Sequence, residues 1–139
     1  MRSIAAGFRA WAAALSAVTT AGASVSLSRI PETAAMPTIT INRAGGDPLQ
    51  TLDDDDDSLV LEDFELRVWG DSGKEANELM DGLYNALEDF AGNMGSDRRC
   101  EAVIFGGLPT LDVGDVDFGD EVARHVAGLT VTLQHSPQS

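Results

Sequence analysis

The chain has 139 residues, 43% of them hydrophobic, and 23 acidic side chains against 9 basic ones give a formal net charge of −14. That length suits one domain over residues 1–139, with a real core and no room for a second. The charge disfavours adhesion to nucleic acid or to an anionic membrane, and Cys100, the lone cysteine, excludes an intrachain disulfide.

The acidity is unevenly placed. Residues 1–43 hold Arg2, Arg9, Arg29 and Arg43 against Glu32, a balance of +3 that leaves −17 on residues 44–139. The first 24 residues imitate a secretory signal, with Arg2 and Arg9 as its basic region, Ala10 to Val18 as its apolar core and Ala21-Gly22-Ala23 as a small-residue cleavage site. That core is mostly alanine, however. Ile4, Phe8, Trp11, Leu15 and Val18 also fall at four- and three-residue steps, so the expectation is a first amphipathic helix. No other segment approaches the roughly 18 apolar residues of a membrane span.

Val25 to Leu27 fits a short strand, and Thr38 to Arg43 a β-branched one. Ala44 to Ser58 holds Gly45-Gly46, Pro48 and the run Asp53, Asp54, Asp55, Asp56 and Asp57, and it reads as a solvated loop at the tip of a long hairpin. From Leu59 to Gly70 the chain alternates, with Phe64, Leu66 and Val68 against Asp63, Glu65 and Arg67, the pattern of a strand with one apolar face. Ser72 and Glu75 then form a capping box. Beyond them Ala76, Leu79, Met80, Leu83, Leu87 and Phe90 recur at helical steps, and Gly92 suits a left-handed helix end. Gly92 to Asp97 reads as a turn, Cys100 to Phe105 as a strand, Leu108 to Glu121 as a bent strand or loop, and Val126 to Leu133 as the last strand, with a frayed tail from His135. The expected fold is α+β: a mainly antiparallel or mixed sheet with two helices packed on one face and a long hairpin loop.

Catalytic chemistry is not visible in this pattern. Consecutive aspartates at 53–57 point in different directions and lack the turn glycine and distal glutamate of a calcium loop. Asp112, Asp115, Asp117 and Asp120 miss the required spacing as well. Cys100 lies in an apolar strand as a core thiol, and neither His125 nor His135 is placed beside a nucleophile. Gly45-Gly46 and Gly106-Gly107 lack the lysine or helix start of a phosphate loop. No cofactor and no metal are expected.

Several segments together resemble the tail-completion proteins of long-tailed bacteriophages. They are Arg29-Ile30-Pro31 with Pro37 to Ile41; Phe64 to Gly70 with Ser72, Glu75-Ala76-Asn77 and Leu79; Leu83 with Ala86-Leu87; and, near the end, Asp117, Arg124 and the strand Leu129 to Leu133. The resemblance implies a non-enzymatic virion subunit of the tail or neck, assembled in the host cytoplasm. Such a subunit forms a homo-hexameric ring at the head-proximal end of the tail, meeting the tail tube protein and the head-tail connector protein. DNA would pass through that ring without specific binding. Asp53 to Asp57 would then be a candidate contact with a neighbouring subunit or the tube. Two other readings remain: a small-molecule-binding regulatory α+β domain using the turn Gly70-Asp71-Ser72-Gly73, and a secreted acidic protein.

Overall fold

The computed structural model describes residues 3–27, 37–48, 59–95, 98–110 and 125–137. Among these are three helices, α1 (Ala5–Ala13), α2 (Ser16–Ala21) and α3 (Gly73–Leu87), and six strands: β1 (Ser24–Leu27), β2 (Thr38–Pro48), β3 (Val60–Gly70), β4 (Gly92–Met94), β5 (Arg98–Phe105) and β6 (His125–Pro137). The strands form one sheet in the order β1-β2-β3-β6-β5-β4. Of these neighbours, β1 and β2 pair in parallel and the rest are antiparallel. The fold is α+β on a mixed sheet.

Strand β3 lies near the middle, and its alternation sets the two faces of the sheet. Val60, Glu62, Phe64, Leu66 and Val68 are buried toward the helices, while Leu61, Asp63, Glu65, Arg67 and Trp69 line the outer face. Strand β6 pairs with it in phase, Phe64 opposite Val131 and Leu66 opposite Leu129, so Ala127, Leu129, Val131 and Leu133 join the same core. Helix α3 lays Ala76, Leu79, Met80, Leu83 and Leu87 on that face, and each of the larger buried side chains is worth about 1.5–3 kcal/mol. The Ser72 hydroxyl accepts from Glu75 N–H at 3.1 Å, and Glu75 Oε1 accepts from Asp71 N–H at 2.9 Å. The capping box therefore forms, with its return bond one residue earlier than the usual pattern.

Helix α1 fills the inner side with Ile4, Phe8 and Ala12. The Phe8 ring meets Phe64 edge-on at 5.2 Å, and Trp11 lies 4.9 Å from Phe90. The helix also touches both sheet edges: the Arg9 guanidinium donates to Val25 O of β1 at 3.1 Å, and Gly7 packs on the backbone of β4. A Cβ at Gly7 would stand 2.2 Å from Met94 O, so only glycine allows that approach.

Five boundaries differ from the sequence reading. The expected first helix is two, broken at Leu15, whose ψ of 139° is extended. In one straight helix Ala12 and Val18 would point about 120° apart, and the break allows both to be buried. Strand β2 continues to Pro48 through a register shift between Arg43 and Gly45, so residues 44–48 belong to the hairpin arm rather than the loop. Helix α3 ends at Leu87, and Asp89 (φ 59°), not Gly92, takes the left-handed position; Asp tolerates that conformation better than most residues. Gly92 instead opens the short strand β4, which pairs with β5. Finally, His135 is no frayed tail: it pairs with Val60 on one side and Cys100 on the other.

Candidate functional site

Two features stand out from ordinary core packing. The first is a buried polar cluster at one end of the sheet. Alternation on β3 places Glu62 on the apolar face, fully buried, and alternation on β6 does the same for His135. Glu62 Oε1 accepts from the His135 Nε2–H at 2.8 Å and from Ile4 N–H at 3.1 Å. Its Oε2 accepts from the Ser3 hydroxyl and from Arg43 Nε at 3.2 Å. On the far side of the ring, His135 Nδ1 accepts from Arg98 Nε at 2.9 Å. An arginine can only donate, so the imidazole carries its proton on Nε2 and directs it at Glu62.

Burial alone would raise the Glu62 pKa. The hydrogen bonds from His135, Ser3 and Ile4, with the favourable field of the His135 ring, outweigh that and hold it below the ordinary carboxylate value. The carboxylate also stands at the start of α1, where the helix macrodipole favours a negative charge. The cluster thus pins the N-terminal helix to the sheet. Glu62 and His135 themselves are fully buried, so neither the carboxylate nor the imidazole is presented at the surface.

The second feature is the outer face of the sheet. Between Gly106, whose N–H bonds Thr130 O at 2.9 Å, and Thr110, whose N–H bonds Gly128 O at 2.7 Å, the chain loops out through Gly107, Leu108 and Pro109. Gly107 supports the excursion with a φ of 149°. Leu108 stands at its tip, 80% exposed. Beside it runs a groove of about 440 Å³, floored by Gly128 and Thr130 and bounded by Glu65 and Arg67 across from Leu108 and Val126. Gly128 keeps that floor low, since a Cβ there would come within 3.0 Å of Thr110 Oγ1.

Of the residues singled out from sequence, Asp53, Asp54, Asp55, Asp56 and Asp57 lie outside the described residues, as do Asp112, Asp115, Asp117 and Asp120 and the Arg29-Ile30-Pro31 and Arg124 segments. Cys100 is buried and its thiol is pushed up to about 11, first by burial. In the turn Gly70-Asp71-Ser72-Gly73 the Glu75 carboxylate takes the Asp71 N–H and a Cβ on Gly70 would lie 3.0 Å from Ala76 N, while Ser72 and Glu75 line an open groove against α2. Among the described residues no three His, Cys, Asp or Glu side chains group as metal ligands, and no helix is long and apolar enough to cross a membrane. Glu62, Arg98 and His135 were missed from sequence. Phase carries the signal for two of them. Glu62 falls in step with Phe64 and Leu66 on β3, and His135 in step with Ala127, Leu129, Val131 and Leu133 on the buried side of β6.

The family described as tail completion protein gp17 matches residues 7–104, and the chain belongs to that family of phage tail structural proteins. No curated protein matches the sequence. Among solved structures, the chain is similar to one in the virion of a native gene transfer agent (GTA) particle. The two share 15% identity with a TM-score of 0.49, over 96% of this chain and 92% of that one.

Proposed function

We propose that this subunit assembles as a homo-hexameric ring at the head-proximal end of the tail, in the virion tail or neck. There it ends the tail tube and meets the head-tail connector protein, with residues 1–139 acting as one domain. The observation that carries this reading is the family match over residues 7–104. The role requires positioned surfaces rather than an active site, and no catalytic residue is proposed. The loop bearing Asp53 to Asp57 is proposed to contact a neighbouring subunit or the tube, since a run of five carboxylates is too polar to enter its own core.

The charge supports the same reading. DNA passing a ring must not adhere to it, and a net charge of −14 repels phosphates. Assembly takes place in the host cytoplasm. The test is to produce particles without this protein and examine them by electron microscopy. Tails of irregular length that lack heads are expected; tails of normal length joined to heads would overturn the proposal.

A further inference from the structure

The hydrogen-bond phase of the sheet shows where its backbone is left open. Gly106 N–H bonds Thr130 O, and in the same register Ile104 lies opposite Thr132 and Phe105 opposite Val131. Bonded and non-bonded pairs alternate along an antiparallel ladder. Ala102, Ile104 and Gly106 therefore turn their N–H and C=O toward β6, while Val103 and Phe105 turn theirs away from it. The next strand on that side is β4, which pairs with residues 98–100 and goes no further. Among the described residues, no strand meets the outward groups of Val103 and Phe105.

The same alternation reaches the other margin of the sheet. With Thr130 and Thr132 facing β5, Val131 and Leu133 face β3 and bond Phe64 and Glu62. Asp63 and Glu65 then turn to β2, where Gly45 and Asn42 are their partners. Arg43 and Gly46, on either side of the register shift, are left pointing away from β3. Strand β1 pairs with β2 from Thr38 to Ile41, so among the described residues this stretch has no outer strand either.

The two open stretches match row for row. Arg43, Phe64, Val131 and Phe105 lie in one row across the sheet, and Gly46, Glu62, Leu133 and Val103 in another. Every step from β2 to β5 is antiparallel, so these two strands run in opposite directions. A second copy that continues the sheet would set Phe105 against Arg43 and Val103 against Gly46, with bonding groups facing each other in an antiparallel ladder. The short outer strands do not obstruct this. Strand β4 stops at the row of Cys100, His135 and Val60, and β1 stops at the row of Ile41, Leu66 and Leu129, so they close opposite ends of one shared window. A strand from an unrelated chain would fill one margin and leave the other open, whereas a copy of this chain carries the complement of both.

We propose that β5 of one copy adds to β2 of the next, head to tail, so that one sheet runs across the contact. The proposal rests on the ring reading and supplies both of the different patches that a ring requires of each subunit. Pairing of β5 with a second β5 would close a two-fold dimer instead.

The experiment combines a backbone deletion with crosslinking. Val103→Pro removes an N–H that faces outward, which an edge strand tolerates, and Val103→Ala trims the same side chain while keeping that donor. Size-exclusion chromatography with light scattering reads association, and circular dichroism melts read folding. Wild type and Val103→Ala should form an oligomer, and Val103→Pro should associate about tenfold more weakly or worse while melting as Val103→Ala does. Ala44→Cys and Ile104→Cys, both at exposed positions, are treated with a short bis-maleimide separately and mixed; Cys100 is buried, so the introduced thiols report the contact. The mixture should crosslink and neither variant should crosslink alone. Crosslinking of Ile104→Cys by itself would show β5 against β5 and overturn the head-to-tail contact. A folded Val103→Pro that associates like Val103→Ala, with no crosslink in the mixture, overturns the edge contact and leaves the ring reading to the morphology of particles lacking the protein. If Val103→Pro does not fold, the crosslinks alone decide. A wild type that stays monomeric at all concentrations also overturns the edge contact.

Discussion

Replacing Glu62 tests how the N-terminal helix is held. Glu62→Ala would leave Ile4 N–H and the His135 Nε2–H without an acceptor in the core, and Arg43 without its carboxylate. Each of the two buried donors left unsatisfied costs about 1–3 kcal/mol. Folded chains of this length hold roughly 7–20 kcal/mol in all, so the melting temperature should fall by about 10–20 °C. Glu62→Gln should cost less, about 1.5–3 kcal/mol. Its amide can serve only one of the two donor pairs, but Ser3 can turn its hydroxyl to accept, and Arg43, with 46% of its side chain exposed, can swing to water. Urea denaturation followed by circular dichroism and tryptophan fluorescence reads the loss, because Trp11 reports α1 against Phe90. The pH sign follows from the depressed Glu62 value. Its stabilisation is fully present above the ordinary 4.5 and disappears as pH falls through the lower folded-state value. The gap between wild type and Glu62→Gln should therefore hold from pH 7 to about 5 and narrow below 4.5. A Glu62→Ala cost under about 1 kcal/mol at pH 7, where surface substitutions stay within half that, would refute the reasoning.

Other substitutions probe the remaining contacts. Leu83→Ala should destabilise by about 2–5 kcal/mol in the same denaturation assay, since Leu83 is buried under the sheet; a loss below about 0.5 kcal/mol would place the wrong face of α3 inward. Gly7→Ala should cost about 1–3 kcal/mol by pushing α1 off Met94, and an unchanged thermal melt would show that the contact yields freely. Deleting Asp53 to Asp57 should leave the far-ultraviolet spectrum and melting temperature unchanged while lowering the yield of tail-complete particles; a normal yield would remove the loop from assembly.

Much of the fold was legible because its signals are local. The alternation around Phe64, the Ser72 cap and the spacing from Ala76 to Leu87 each specify one element without outside help. The core residues Phe8, Phe64, Leu66, Val68, Leu79, Leu83, Leu87, Leu129 and Val131 assemble as their periodicity implies. What escaped notice depends on distant partners. Glu62 looks like a surface residue until His135, 73 positions away, supplies its hydrogen bond, and the two strand ends extend only because each finds a ladder neighbour. The Leu15 break is likewise a tertiary effect: Ala12 and Val18 both find burial only if the helix turns.

The edges of the sheet bear on how copies can meet. An uncovered edge strand is a ready site for adding a strand from another chain. Here one helix attends to both edges. Arg9 of α1 occupies the Val25 carbonyl of β1, while Gly7 of the same helix lies against Met94 O of β4. Glu62 holds the start of that helix through Ser3 and Ile4, so the guard over the edges depends on a buried carboxylate of the central strand β3. Each contact covers backbone at one point of its edge strand, Val25 O on β1 and Met94 O on β4. Loosening Glu62 should therefore release α1 from both edge strands and favour irregular aggregation, which light scattering of Glu62→Ala against wild type would read.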